Sequence, residues 1–282
     1  MSLSGNALLA GVMGWPVRHS LSPRLHGFWL SEHGIDGAYL PLAVKPDDFI
    51  AALRALPKLG FRGCNVTVPH KEAAFAAVDE KTEIAKRLGA VNTVVVGDDG
   101  RLTGDNTDGF GFMENLKAGA PGLAIAGRPA AVLGAGGAAR AVVAALIDAG
   151  ASEIRLVNRT RARAEALAHD IGGPVEPLPW DHMRSASEDA ALLVNTTSLG
   201  MAGHDAEAID LTHLPTTATV TDIVYNPLET PLLKAARQRG NTVVDGLGML
   251  LHQARPGFKA WFGRMPEVTA ELRDHVLAGL GK

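Results

Sequence analysis

Hydrophobic positions along the first hundred residues switch between strand-like and helix-like spacing. LLAGVMGWPV (8–17) is an apolar run of strand length, and SPRLHGFWLSEHG (22–34) follows with Leu25, Phe28 and Trp29 on one helical face. Ser22 stands at the N-cap position of that helix, Pro23 at its first turn and Gly34 at its stop. AYLPLAV (38–44) reads as a strand, DFIAALRALPKLG (48–60) as a helix, and GCNVTV (63–68) as a strand, with a further helix from Pro69. VNTVVV and RLTGDN, within 91–106, form a predicted hairpin with Asp99-Gly100 as its turn. TDGFGFMENLKAGA (107–120) is a predicted helix leading away from this unit, and GLAIAGRPA (122–130) reads as a loop.

From residue 129 the order is β-α-β: PAAVL, a glycine turn with a long helix, then EIRLVN (153–158). A helix over 160–170 and strands over 191–197, 219–224 and 241–246 follow. A helical segment with an internal proline (247–263) and a last helix (268–280) end the chain. With 282 residues, the chain exceeds what one hydrophobic core comfortably fills. The predicted fold is therefore α/β with two domains. Residues 1–105 form a mixed-sheet substrate domain and 106–246 a doubly wound, Rossmann-like nucleotide domain. Helices in 247–282 return to the first.

Composition changes this picture little. A net charge of −3 gives no electrostatic case for nucleic acid or an anionic membrane. The single cysteine, Cys64, excludes an internal disulfide and a cysteine zinc site, and its place in a strand predicts a buried, inert thiol. Ten scattered histidines show no ligand-like spacing, so no metal is expected. The N-terminal apolar stretch is too short to span a bilayer and lacks a basic flank, which points to a cytoplasmic protein.

Residues 132–140 read VLGAGGAAR, where Gly134, Gly136 and Ala139 match G-x-G-x-x-A between a strand and a helix. Glycines there let the backbone approach a pyrophosphate resting on the helix N-terminus, so a dinucleotide is the expected ligand. An NAD site usually carries an acidic residue at the end of the second strand. This chain has Asn158, Arg159 and Thr160 there, followed by Arg161 and Arg163. Two charge-assisted contacts to a 2′-phosphate, at about 1.5–3 kcal/mol each, give NADP a preference on the order of 10²–10⁴. The expected cofactor is NADP(H).

NVTVPHK (65–71) sends Lys71 directly off a half-buried strand, and GDNTDGF (104–110) supplies Asp105 and Asp108 beyond the hairpin. A lysine paired with a carboxylate of this loop, in a cleft between the domains, can protonate the alkoxide left when hydride reaches a ketone. A surface salt bridge is the competing explanation from spacing alone.

NVTVPHK, GDNTDGF, GAGGAAR, NRT and DGLGMLLHQA, in this order, resemble the shikimate dehydrogenase family over residues 10–262. The resemblance implies NADPH-dependent, reversible reduction of 3-dehydroshikimate to shikimate on the route to chorismate and the aromatic amino acids. It makes Lys71 and Asp108 the catalytic pair, with the division of proton transfer between them open. It assigns the substrate carboxylate to Ser20, Ser22 and Tyr225, and the ring hydroxyls to Thr67, Asn92, Gln253 and the catalytic pair. Ser22 as a simple N-cap remains a competing reading, as does a solvent-facing Gln253.

For the cofactor the resemblance points to Gly134, Ala135, Gly136, Gly137 and Ala138, to Asn158, Arg159, Thr160 and Arg163, and to Thr197, Ile223 and Gly246. Glu83 joins them without a physical reason visible in the sequence. The partner is a small molecule, and a homodimer is compatible with the sequence, which does not fix the assembly. Two alternatives stand beside this reading: a quinate/shikimate dehydrogenase preferring NAD, and a non-catalytic NADPH-binding regulator.

Overall fold

A computed structural model describes residues 3–203 and 209–280, which divide into two units, Met1–Thr107 with Gln253–Lys282, and Asp108–His252. The sequence placed these limits at 105/106 and 246/247. The division falls instead after Thr107 and inside a helix, before Gln253.

The first unit begins with β1 (Leu8–Gly14), α1 (Ser22–Glu32), β2 (Gly37–Ala43), α2 (Phe49–Ala55) and β3 (Phe61–Val66). It continues through α3 (Lys71–Ala77), β4 (Glu80–Lys81), α4 (Glu83–Leu88), β5 (Thr93–Val96) and β6 (Leu102–Asp105). Its sheet has the order β2-β1-β3-β5-β6-β4, with β1 parallel to β2 and β3, and β5 antiparallel to β3 and β6. Strand alternation sends Cys64 and Val66 to one face, where they pack with Met13, Phe49, Leu53 and Leu56. Gly63 and Asn65 face the other side, where His26, Trp29, Tyr39, Phe258 and Trp261 form an aromatic cluster.

The second unit contains α5 (Asp108–Gly119), β7 (Pro129–Leu133), α6 (Gly137–Asp148), β8 (Glu153–Asn158), α7 (Arg161–Ile171) and β9 (Val175–Pro179). After these come α8 (Met183–Ser187), β10 (Leu192–Asn195), β11 (Thr219–Asp222), α9 (Pro231–Gln238) and β12 (Thr242–Val244). Its strands run parallel in the order β12-β11-β10-β7-β8-β9. Renumbered from β7, that is the 3-2-1-4-5-6 order of a doubly wound dinucleotide fold. β7 and β10 are buried on both faces, which explains the apolar runs of β7 and of β10 up to Val194.

Helix α10 (Leu247–Phe262) continues through Pro256 from the second unit into the first, and α11 (Ala270–Leu277) closes the chain. The Trp261 indole N–H donates to the Val94 carbonyl at 3.0 Å, fastening α10 to the first sheet. Gly63 makes room for it: at φ +148°, a Cβ there would overlap the Val94 oxygen and the Trp261 ring nitrogen.

Three local expectations are corrected. Ser22 is not an N-cap: Leu21 holds that position and no side chain caps the helix. The helix expected over 48–60 stops at Ala55 and tightens into a 3-10 turn through Pro57, ending at Gly60 with φ +75°. The strand expected over 63–68 ends at Val66, and the following helix starts at Lys71 rather than Pro69. No helix among the described residues is long and apolar enough to cross a membrane.

Candidate active site

In the first unit, backbone bonds bring several of the singled-out residues to one edge of the sheet. The Thr67 N–H donates to the Met13 carbonyl at 2.9 Å, Val66 to Asn92 at 2.8 Å, and Asn92 to Asp105 at 3.0 Å. Thr67, Asn92 and Thr107 therefore lie just beyond the ends of β3, β5 and β6. The Val91 N–H donates to the Lys71 carbonyl at 3.0 Å, which fixes the start of α3 beside Asn92. Lys71 thus leaves the strand end onto the first turn of a helix and is half-buried.

Asn92 is buried at the centre of this edge. Its Oδ1 accepts from the Thr107 N–H at 2.9 Å and the Thr93 hydroxyl at 2.9 Å. Its Nδ2 faces Thr107 Oγ1 at 3.1 Å and Gln253 Oε1 at 3.5 Å. The Thr107 hydroxyl reaches the Gln253 carbonyl at 2.8 Å, so Gln253 belongs to this polar cluster and is not a solvent-facing residue of α10. Asn65 extends the cluster: its Nδ2 donates to the Asn92 carbonyl and Thr93 Oγ1, both at 3.1 Å, while its Oδ1 accepts from the Tyr39 hydroxyl at 2.6 Å.

Sequence reasoning passed over Tyr39, Asn65, Thr93 and Thr107. Asn65 and Thr107 lie inside the quoted NVTVPHK and GDNTDGF stretches, so a signal for them was present. Tyr39 carried none. Ser20 Oγ accepts from the Ser22 N–H at 3.3 Å, and the buried Ser22 hydroxyl is hydrogen-bonded with Tyr39 instead of capping the helix.

The second unit presents a comparable row. Register sets Leu133 opposite Val157 and Asn195, and Asn195 opposite Asp222. Gly134, Thr196 and Ile223 then follow the carboxyl ends of β7, β10 and β11, and Asn158 is the last residue of the adjacent β8. That edge, where the order reverses between β7 and β10, is where open parallel sheets bind ligands. Gly134 has φ +98°, and a Cβ there would come within 2.8 Å of Thr197 Cγ2 and 2.9 Å of Thr196 Oγ1.

A Cβ on Gly136 or Gly137 would instead meet open space at the start of α6. None of the described residues fills the space beside these two glycines, and the helix N-terminus attracts an anion. The donor set and the space fit a pyrophosphate. Asn158 Oδ1 accepts from the Ala135 N–H at 3.2 Å and its Nδ2 donates to the Thr160 carbonyl at 2.8 Å, tying the glycine loop to the basic stretch. Arg161 is engaged by Glu165 at 2.8 Å. Arg159 and Arg163 are exposed and form no ion pair among the described residues, so both guanidinium groups are available to a phosphate.

Gly246 lies against Ile223, and a Cβ there would overlap its carbonyl. Tyr225 follows on the same loop, half-buried, with burial raising its hydroxyl pKa. Asp108 is the first residue of α5 and is buried at 9 % exposure. Glu83 opens α4 in the first unit, where its carboxylate meets Lys86 at 2.6 Å on an exposed face. A hollow lined by Arg128, Thr217, Thr219 and Thr242 lies at the opposite, amino ends of the second sheet, away from the glycine loop.

Three family models match successive parts of the chain. The shikimate dehydrogenase substrate binding domain covers residues 12–94, shikimate / quinate 5-dehydrogenase 120–223, and the shikimate 5′-dehydrogenase C-terminal domain 246–270. A relative named shikimate dehydrogenase (NADP(+)) from Paramagnetospirillum magneticum is 61 % identical, over 98 % of this chain and 100 % of its own. Shikimate 5-dehydrogenase from Thermus thermophilus, solved in complex with NADP(H) and shikimate, superposes with a TM-score of 0.86. It is 39 % identical over 97 % of this chain and 100 % of its own. Quinate dehydrogenase from Corynebacterium glutamicum in complex with NAD gives a TM-score of 0.90. It is 33 % identical over 96 % of this chain and 99 % of its own.

Proposed function

Because this chain belongs to the shikimate dehydrogenase family, we propose that it reduces 3-dehydroshikimate reversibly to shikimate with NADPH. The reaction serves the route to chorismate and the aromatic amino acids. The first unit holds the substrate and the second holds NADP(H), in the cytoplasm.

When bound, NADPH supplies the hydride that reaches the substrate carbonyl carbon. The chain's own residues do the rest. Oxygen at that carbon gains negative charge as the hydride arrives, and the Lys71 ammonium supplies the proton that neutralises it. Asp108 is the proposed carboxylate partner of Lys71, the two acting as one acid–base unit. Asn92 and Gln253, oriented by Thr107, hold ring hydroxyls together with Thr67. Ser20, Ser22 and Tyr225 hold the carboxylate. Their neutral hydroxyls bind an anion without competing for the proton.

Gly134, Ala135, Gly136, Gly137 and Ala138 cradle the pyrophosphate, Asn158 and Thr160 border the adenosine ribose, and Arg159 with Arg163 grips its 2′-phosphate. Thr197, Ile223 and Gly246 line the other half of the coenzyme. Glu83 adds no comparable chemistry beside its Lys86 partner.

The observation that carries this reading is the polar cluster in which Asn92, Thr107 and Gln253 meet one another at the sheet edge where α3 begins with Lys71. The test is spectrophotometric: purified protein with 3-dehydroshikimate consumes NADPH at nanomolar enzyme, and does so far faster than NADH. Tight NADPH binding without turnover overturns the catalytic reading in favour of a binding protein. Faster turnover of quinate with NAD would move the assignment to quinate dehydrogenase.

A further inference from the structure

Asp222 is wholly buried, and the reaction as derived above does not use it. Its partners are all neutral: Oδ1 accepts from Asn195 Nδ2 at 3.0 Å and from the Val224 N–H at 3.0 Å, and Oδ2 accepts from the Thr230 hydroxyl at 2.7 Å. No lysine, arginine or histidine pairs with it among the described residues. A carboxylate desolvated without a cation is a costly choice for a merely structural position, where an amide or an apolar residue would do.

What a carboxylate offers, and an amide does not, is acceptance on both oxygens. Facing Asp222, Asn195 has to present its NH₂, which turns its Oδ1 the other way. There Oδ1 accepts from the Thr197 N–H at 3.1 Å and the Thr197 hydroxyl at 2.7 Å. Thr197 Oγ1 in turn accepts from the Leu199 N–H at 3.0 Å, and its methyl is left against Gly134 of the glycine loop. On its other side Asp222 fixes Val224, next to Ile223 and Tyr225, and Thr230, which caps α9 through Leu233. The loops after β10 and β11 are joined again by the Ala202 N–H donating to the Asn226 carbonyl at 3.0 Å.

We propose that Asp222 is the positioning residue of the coenzyme site, setting the Asn195 amide so that Thr197 and Ile223 present one fixed surface beside Gly134. The inference deepens the NADP(H) reading above and rests on it. An asparagine at 222 brings its own NH₂ to the cluster, so Asn195 loses its single orientation and Thr197 its acceptor.

The test compares wild type with Asp222→Asn by NADPH fluorescence titration and steady-state kinetics. The variant is expected to raise the NADPH Kd and coenzyme KM about tenfold, with NADH affected to the same degree. Shikimate KM and kcat at saturation should stay within about threefold. That split separates a positioning role from a structural one, because a loss of folded protein lowers apparent kcat and leaves coenzyme affinity intact. An unchanged coenzyme Kd, or a loss confined to kcat, overturns the inference. Should Asp222→Asn fail to fold, Thr230→Val decides: it removes one donor to the carboxylate and is expected to weaken NADPH about threefold, and unchanged affinity overturns the proposal. If wild type itself does not bind NADPH, the parent reading falls first. Normal wild-type binding with an unaltered variant sinks this inference alone.

Discussion

The proposed mechanism concentrates its acid–base chemistry in one side chain, Lys71. Its replacement by alanine removes the proposed proton donor but leaves the hydroxyl-binding residues in place. Lys71→Ala is therefore expected to lower kcat by roughly 10²–10⁴ with a smaller change in shikimate KM. Near wild-type turnover would exclude the role. The role proposed for Arg159 is binding, not chemistry. With Arg161 already engaged by Glu165, Arg159→Ala should weaken NADPH by roughly tenfold or more and leave NADH almost unaffected. Parallel titrations with the two coenzymes check this, and equal losses would show that Arg159 does not read the 2′-phosphate. The contrast with Asp222→Asn, which should weaken both, is what distinguishes a phosphate contact from a supporting carboxylate.

At the scale of elements, α10 is the instructive case. Its amphipathic pattern was readable as a helix, but its attachment is made by Trp261 reaching the Val94 carbonyl across Gly63. Gly63→Ala would put a methyl group into that contact at a backbone angle L-residues avoid, and should cost about 2–4 kcal/mol. Chemical denaturation measures it, and a loss under about 0.5 kcal/mol would show that the contact yields easily. Short elements escaped the sequence for a related reason. α4 is only six residues long, and its signals, the Thr82 cap and Gly89 at φ +63°, are weak without a periodic run between them. β9 contains Pro177 and Pro179, which weaken a strand signal, yet it is an edge strand, where a missing N–H is tolerated.

For the molecule as a whole, the aromatic cluster of the first unit makes stability depend on acidity. His26 is stacked on Tyr39 at 3.8 Å and has no exposed surface, and burial pushes its pKa from 6.5 down to about 3. Between those values the unfolded chain binds a proton that the folded protein refuses. Stability is thus unaffected by this group above about pH 6.5 and falls on acidification below it, by up to about 1.4 kcal/mol per pH unit. His26→Phe keeps the stacking and removes the titration. Denaturation at pH 7.5 and pH 5 should show the variant losing less stability than wild type, and equal losses would contradict the assignment.

The linear chain by itself determined the order of most of the longer elements, the parallel glycine-loop unit and the basic stretch after β8. Each of these depends on neighbours within one turn or one strand: Gly134 at the strand end, Arg159 two residues past Val157, apolar runs where both sheet faces are covered. Only the tertiary structure decided which polar groups support the site. Tyr39, Asn65, Thr93 and Thr107 meet because β2, β1, β3, β5 and β6 lie side by side in one sheet, Tyr39 reaching Asn65 past β1, and Asp222 meets Asn195 and Thr230 across two strands and a loop. Hydrogen bonds between residues far apart in sequence leave no local pattern. Their partners are fixed only when the sheet closes and buried polar atoms must find donors or acceptors. For the same reason Ser22 looked like a helix cap: the residue type suited the position, and backbone geometry gave the position to Leu21.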